Sequence, residues 1–188
     1  MESRSRAGFV LAGGRSSRMG RDKALLVLDG GTLLERIAGE VRRAAGSVTV
    51  IGQPARYGLL GLPCVADLVE GCGPLGGLYT ALSTTTATWN LVVACDMPRV
   101  DAGLFAMLFD AAGNCGRLAL VPTTGGGFQP LCAVYHRDLL PAVSAAVAKK
   151  SLKMHDFVST IDAYPFHAPD PTVFSNVNTP EEWAEVRV

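Results

Sequence analysis

The sequence predicts an α/β fold, built as a mostly parallel open sheet with helices on both sides. Two observations carry that expectation. Short apolar runs alternate with amphipathic helical patterns through most of the chain. The runs are also apolar throughout, without polar residues at every second position, as strands covered on both faces are.

Strands are expected at AGFVL (7–11), SVTVI (47–51), PCVAD (63–67), WNLVVAC (89–95) and LALVP (118–122), each brief and bounded by turn residues. Between them, Leu33, Leu34, Ile37, Ala38 and Val41 fall on one helical face, as do Leu104, Phe105 and Leu108, and later Leu139, Leu140, Val143 and Val147. A further helix follows the glycine-rich turn after Asp67, with Leu75, Leu78, Tyr79 and Leu82 on its buried side. The last third departs from simple alternation: QPLCAVY (129–135) reads as a strand, two helical stretches follow, and then a Pro/Asp segment, HAPDPTVFSNVN. In TPEEW, Thr179 stands as N-cap, Pro180 as the first helical residue and Glu182 three after the cap, which is a capping box.

The 188 residues suit one domain, 1–188, long enough to bury a core without disulfides or metal staples. Apolar residues make up 48% and charged residues 18%, which argues against disorder. Seventeen basic residues balance seventeen acidic ones, so no whole-molecule field gathers nucleic acid or anionic membrane. Any polyanion must be bound locally. Cys64, Cys72, Cys95, Cys115 and Cys132 form neither a C-x-x-C pair nor a disulfide framework, which points to the reducing cytoplasm. The apolar stretch behind Arg4 and Arg6 stops after Gly14 and runs into charges, so no signal peptide is expected. The later run NLVVAC is far short of the roughly 20 residues a membrane helix needs.

Three stretches could carry chemistry. The first, LAGGRSSRMGRDKALL, follows the first strand, which in an open parallel sheet puts it at the carboxyl edge where ligands sit. Its glycines, at 13, 14 and 20, do not make G-x-G-x-x-G, and Lys23 is followed by Ala24, so it is not a P-loop either. What remains is a loop whose glycines let backbone N–H groups approach an anion, with Ser16 and Ser17 as donors and Arg15, Arg18, Arg21 and Lys23 as charges. The alternative is a solvated charged turn.

The second stretch, VADLVEGCGPLGGLYTAL, puts Asp67 at a strand end, and glycines at 71, 73, 76 and 77 keep side chains off a ligand. Asp67 either accepts from a base N–H or ribose hydroxyl or caps a turn. The third, NLVVACDMPRV, delivers Asp96 at the carboxyl end of an apolar strand. A carboxylate there is paired, coordinates a cation such as Mg²⁺, or is a strand-end turn residue. His136, His155 and His167 show no ligand spacing, and no serine lies in G-x-S-x-G.

Taken together, LAGGRSSRMGRDKALL, DLVEGCGPLGGL, VVACDMP, GFQPLCAVY and NVNTPEEW occur in an order that resembles the molybdenum cofactor guanylyltransferases, from about Ala7 to Trp183. The resemblance implies a Rossmann-like three-layer sandwich of the nucleotide-diphospho-sugar transferase type. It also implies a cytoplasmic enzyme that uses GTP and Mg²⁺ to attach GMP to molybdopterin. The opening motif is shared with many nucleotidyltransferases, whereas GPLGGL and NVNTPEE are the more specific parts.

By that resemblance, Leu11, Ala12 and Gly13 supply backbone to the nucleotide, Lys23 meets its phosphates, Asp67 contacts the guanosine, and Asp96 binds Mg²⁺; Gly14, Ser16, Gly76 and Gly77 join the nucleotide side from the reading of the two loops. Arg18 and Lys23 would neutralise the leaving pyrophosphate, with Asp96 completing the catalytic set. Gln129, Asn176 and Asn178 fall on the molybdopterin side. The family often offers the nucleotide an asparagine after the strand read here as SVTVI; this chain has Ile51 and Gly52 there, with Gln53 next. Expected partners are GTP, molybdopterin and proteins that deliver molybdopterin or mature molybdoenzymes. Two other readings stay open: a molybdopterin cytidylyltransferase or other nucleotidyltransferase of the same fold, and a nucleotide-binding module without catalysis.

Overall fold

The computed structural model describes residues 5–13, 22–28 and 30–186. Gly14, Ser16 and Arg18, with Arg15, Ser17 and Arg21, lie outside the described residues. The elements in chain order are β1 (Arg6–Leu11), a hairpin of β2 (Val27–Leu28) and β3 (Gly31–Thr32), α1 (Leu33–Ala45), β4 (Thr49–Ile51), α2 (Pro54–Tyr57), β5 (Cys64–Val65) and α3 (Gly73–Thr84). There follow β6 (Trp89–Ala94), α4 (Ala102–Ala112), β7 (Ala119–Thr124), β8 (Gly127–Phe128), β9 (Cys132–His136), α5 (Leu140–Ala148), α6 (Met154–Thr160), β10 (Tyr164–His167) and α7 (Pro180–Val186).

The main sheet runs β10-β7-β9-β6-β1-β4-β5, with β8 paired to β7. β1 pairs in parallel with β4 and β6, β4 with β5, and β10 with β7. β9 is antiparallel to both β6 and β7. Alternate residues of each central strand enter opposite cores: Phe9, Val92 and Tyr135 pack with α3, α5 and α6, whereas Val10, Leu91, Val93 and Val134 pack with α1, α4 and Trp183. Two covered faces explain the uninterrupted apolar runs, and the fold is the expected α/β sandwich with a mostly parallel sheet.

The strands expected at 7–11, 47–51, 63–67, 89–95, 118–122 and 129–135 are all present within a few residues. The one at 63–67 shrinks to Cys64–Val65, leaving Asp67 in the turn beyond it. β10 was not legible, because Tyr164 and His167 at its ends are exposed and the strand lies at a sheet edge. Tyr79 is half-buried, while the small polar Thr80 beside it is fully buried. The Thr179 capping box forms as read: Glu182 N–H donates to Thr179 Oγ1 at 3.2 Å, and Thr179 N–H donates to Glu182 Oε2 at 3.1 Å.

Candidate functional site

After β1 the chain runs to β4 and β5 on one side of the sheet, then crosses to β6 on the other. That reversal opens a crevice beyond the carboxyl ends of the parallel strands. A cleft of about 950 Å³ lies there. Leu11 to Gly13, Ile51 and Gly52, Ala66 and Asp67, and Ala94 to Asp96 each follow or end one of four adjacent strands and line it. Backbone bonds extend the sheet into these loops: Ala12 N–H donates to Ile51 O at 2.8 Å, Gly52 N–H to Val65 O at 2.9 Å, and Cys95 N–H to Leu11 O at 3.1 Å.

At the floor, Lys23 Nζ donates to Asn178 Oδ1 at 2.6 Å and stands 3.6 Å from Asp96 Oδ2. The three residues come from an early loop, the end of β6 and the segment before α7. Burial pushes the Asp96 carboxyl above the usual carboxylate range, and the nearby Lys23 cation opposes that rise. Asp96 Oδ1 is buried and finds no hydrogen-bond donor among the described residues. An acceptor held in that state suits a cation, so a divalent metal fits the oxygen that Asp96 presents. Val177 N–H donates to Asp96 O at 2.8 Å, and Val177 itself is buried, which fastens the carboxyl-terminal segment to this floor.

One wall is the turn from Asp67 into α3. Asp67 is solvent-exposed at the cleft, yet partial desolvation by the wall raises its carboxyl above the ordinary range. The buried Thr80 Oγ1 accepts from Leu68 N–H at 3.0 Å and donates to Gly76 O at 3.0 Å, so the turn carrying Asp67 is tied to the helix. Gly77 lines the cleft, and a Cβ there would sit 2.8 Å from the Leu11 side chain. Gly76 does not line it; its missing side chain leaves room for Cys72, which a Cβ would meet at 2.8 Å. Ile51 and Gly52, at the end of β4, line the cleft, and a Cβ on Gly52 would fall 2.2 Å from Ala12 O. The neighbouring Gln53 does reach the cleft.

The three residues expected on the molybdopterin side separate. Asn178 lines the cleft, whereas Asn176 is exposed and lies outside its lining. Gln129 turns away, its Nε2 donating to Thr124 Oγ1 at 3.0 Å, although Leu131 close by lines the cleft. Sequence reasoning gave no role to Asp22, Thr80 or Cys95. Cys95 is buried beside Asp96, and burial pushes its thiol up to about 12, so it is a neutral wall at neutral pH. A threonine inside an otherwise apolar helical stripe was the available signal for Thr80.

The family described as the MobA-like NTP transferase domain matches residues 8–162. A probable molybdenum cofactor guanylyltransferase of Pelotomaculum thermopropionicum is 35% identical over 189 residues, which cover 96% of this chain and 91% of the relative. The solved molybdopterin-guanine dinucleotide biosynthesis protein A from Archaeoglobus fulgidus superposes with a TM-score of 0.83 at 21% identity, covering 96% of each chain. The Rv0371C protein of Mycobacterium tuberculosis, solved in complex with manganese, superposes with a TM-score of 0.69 at 19% identity, covering 96% of this chain and 97% of that one.

Proposed function

We propose for this chain, which belongs to the family of MobA-like NTP transferases, the transfer of GMP from GTP to the terminal phosphate of molybdopterin, with release of pyrophosphate and formation of molybdopterin guanine dinucleotide. The observation that carries it is the meeting of Lys23, Asp96 and Asn178 at the floor of a cleft walled by glycine-bearing turns. A phosphate oxygen of molybdopterin attacks the α-phosphorus of GTP, and the bond from that phosphorus to the bridging oxygen of pyrophosphate breaks. The nucleophile is already an anion, so Asp96 is not needed as a base. What the protein must supply is charge compensation and alignment.

Lys23 supplies a fixed cation for the phosphates, held by Asn178 before substrate arrives. Asp96 would hold Mg²⁺ through its unpartnered oxygen, and the ion would offset charge on the reacting phosphates. Gly77 and the Leu11–Gly13 backbone leave room for the nucleotide, while Asp67 accepts from the guanosine. Arg18, Ser16 and Gly14 belong to the same phosphate-binding loop by family resemblance. Asn176 and Gln129 stay in the proposal for the molybdopterin side from the family resemblance, although neither lines the cleft. The five free cysteines suit a cytoplasmic reaction, and no helix among the described residues is long and apolar enough to cross a membrane. Molybdopterin is labile, so delivery by a partner protein is part of the proposal.

The test is pyrophosphate release with molybdopterin and Mg²⁺ against GTP, CTP and ATP. GTP is expected to lead by several powers of ten, because a site built on guanine hydrogen bonds leaves polar groups unpaired with another base. Equal turnover with CTP refutes the guanylyltransferase reading, and GTP binding without pyrophosphate release refutes catalysis.

A further inference from the structure

Asp22 is enclosed more tightly than either carboxylate discussed above, with a side-chain exposure of 9%. Its Oδ1 accepts from Ala24 N–H at 3.1 Å and so caps the single 3-10 turn that begins with Lys23. Its Oδ2 accepts from Tyr57 Oη at 2.9 Å and forms an ion pair with the Arg56 guanidinium, whose Nε lies 2.8 Å away. Both oxygens are therefore satisfied by protein donors, unlike Asp96 Oδ1, and Asp22 is not set up to take a metal.

Tyr57 is itself immobilised, being 1% exposed at the end of α2. Its ring closes on Gly52, where a Cβ would meet it at 2.8 Å, and Gly52 presses on Ala12 O. The turn from Gly52 to Tyr57 thus grips Ala12 through packing and Asp22 through one hydrogen bond and one ion pair.

We infer that Asp22, clamped by Tyr57 and Arg56, is a positioning residue that sets the backbone of Lys23 so that its ammonium reaches Asn178 and Asp96. The clamp acts through Lys23 and touches no substrate. Its catalytic consequence rests on the guanylyltransferase reading, whereas its geometric consequence does not.

The geometric test uses the full-length protein without substrate. Competitive acylation of lysines, read by peptide mass spectrometry, compares Lys23 with the exposed Lys149, Lys150 and Lys153 as internal standards. In the wild type Lys23 reacts slowly, because its amine is held and its side chain is 17% exposed. Asp22→Ala is expected to raise its relative reactivity several-fold. Asp22→Asn keeps an acceptor for Ala24 and gives an intermediate rise, and Tyr57→Phe, which keeps the ring, gives the smallest. If Asp22→Ala folds poorly, the other two variants carry the comparison.

The kinetic test is a double-mutant cycle. Asp22→Ala is expected to lower kcat by roughly 10- to 100-fold, as small misplacements of reacting groups do, and to add little once Lys23→Ala is present. Unchanged Lys23 acylation in Asp22→Asn and Tyr57→Phe overturns the inference. So does an equal kcat loss with and without Lys23. If the wild type releases no pyrophosphate from GTP, the proposed activity falls while the acylation result still decides the role of Asp22.

Discussion

The two halves of the sheet treat their strand ends differently. On one side β6, β1, β4 and β5 are all parallel, so four carboxyl ends and their loops gather at one edge and line the cleft. On the other side β9 is reversed, and the residue before it, Leu131, reaches that same edge in place of a strand end, with its carbonyl accepting from Ala94 N–H at 2.7 Å. The parallel half therefore contributes backbone amides, an orphaned carboxylate oxygen and a cation. The reversed half contributes Leu131, an apolar shoulder, while Thr124 and Gln129 stay bonded to each other outside the cleft lining.

The sharpest way to break that comparison is Asp96→Asn. It is expected to lower kcat by roughly 10²–10³-fold, with a smaller effect on GTP binding measured by titration calorimetry, as loss of a single stabiliser of developing charge does. Lys23→Ala should fall in the same range. Wild-type kcat in either variant places the chemistry elsewhere.

The raised carboxyl of Asp96 adds a stability signature. Because the folded state holds that proton more tightly than the unfolded chain, stability is lost as pH rises through the folded value. In chelator, the Tm of Asp96→Asn is expected to exceed that of the wild type at neutral pH, and the gap to close as the pH is lowered and Asp96 takes up its proton. A gap that widens toward acid contradicts the assignment.

A middle-sized effect is expected from Thr80→Val, which leaves Leu68 N–H without its acceptor and loosens the Asp67 turn. An unmade hydrogen bond costs about 1–3 kcal/mol, which sets an upper bound of roughly 5- to 150-fold on the rise in KM for GTP, with kcat near wild type. Steady-state kinetics with GTP as the varied substrate checks it. A fall in kcat at unchanged KM would mean that the turn serves the chemical step.

Asn178→Ala and Asn176→Ala separate the floor from its surroundings. The first removes the acceptor that holds Lys23 and is expected to lower kcat along with molybdopterin use. The second is expected to raise only the KM for molybdopterin. GTP affinity should stay near wild type in both, and its selective loss would move the segment to the nucleotide side. Gln129→Ala should have the smallest effect, a slight rise in the KM for molybdopterin, since its amide is bonded to Thr124 outside the cleft.

Much of this was legible in the chain itself. The layer order followed from apolar runs and helical stripes, because a strand covered on both faces has no polar alternation to show. Asp96 stood out as a charge at the end of such a run, and Thr179 as the cap of a helix, because both signals are local. The clamp on Asp22 was not legible: Tyr57 is 35 positions away and meets it only because β4 lies beside β1. The bond between Lys23 and Asn178 spans 155 positions and depends on the buried Val177, whose N–H holds this segment to Asp96 O just beyond β6. Nor could the chain separate Gly76 from Gly77, which differ only in the direction they face on one helix, or Asn176 from Asn178, whose irregular segment keeps only the second in the cleft lining. Local propensity and burial period were thus written in the sequence, while the convergence of loops from separate strands was decided by the order in which the sheet assembles them.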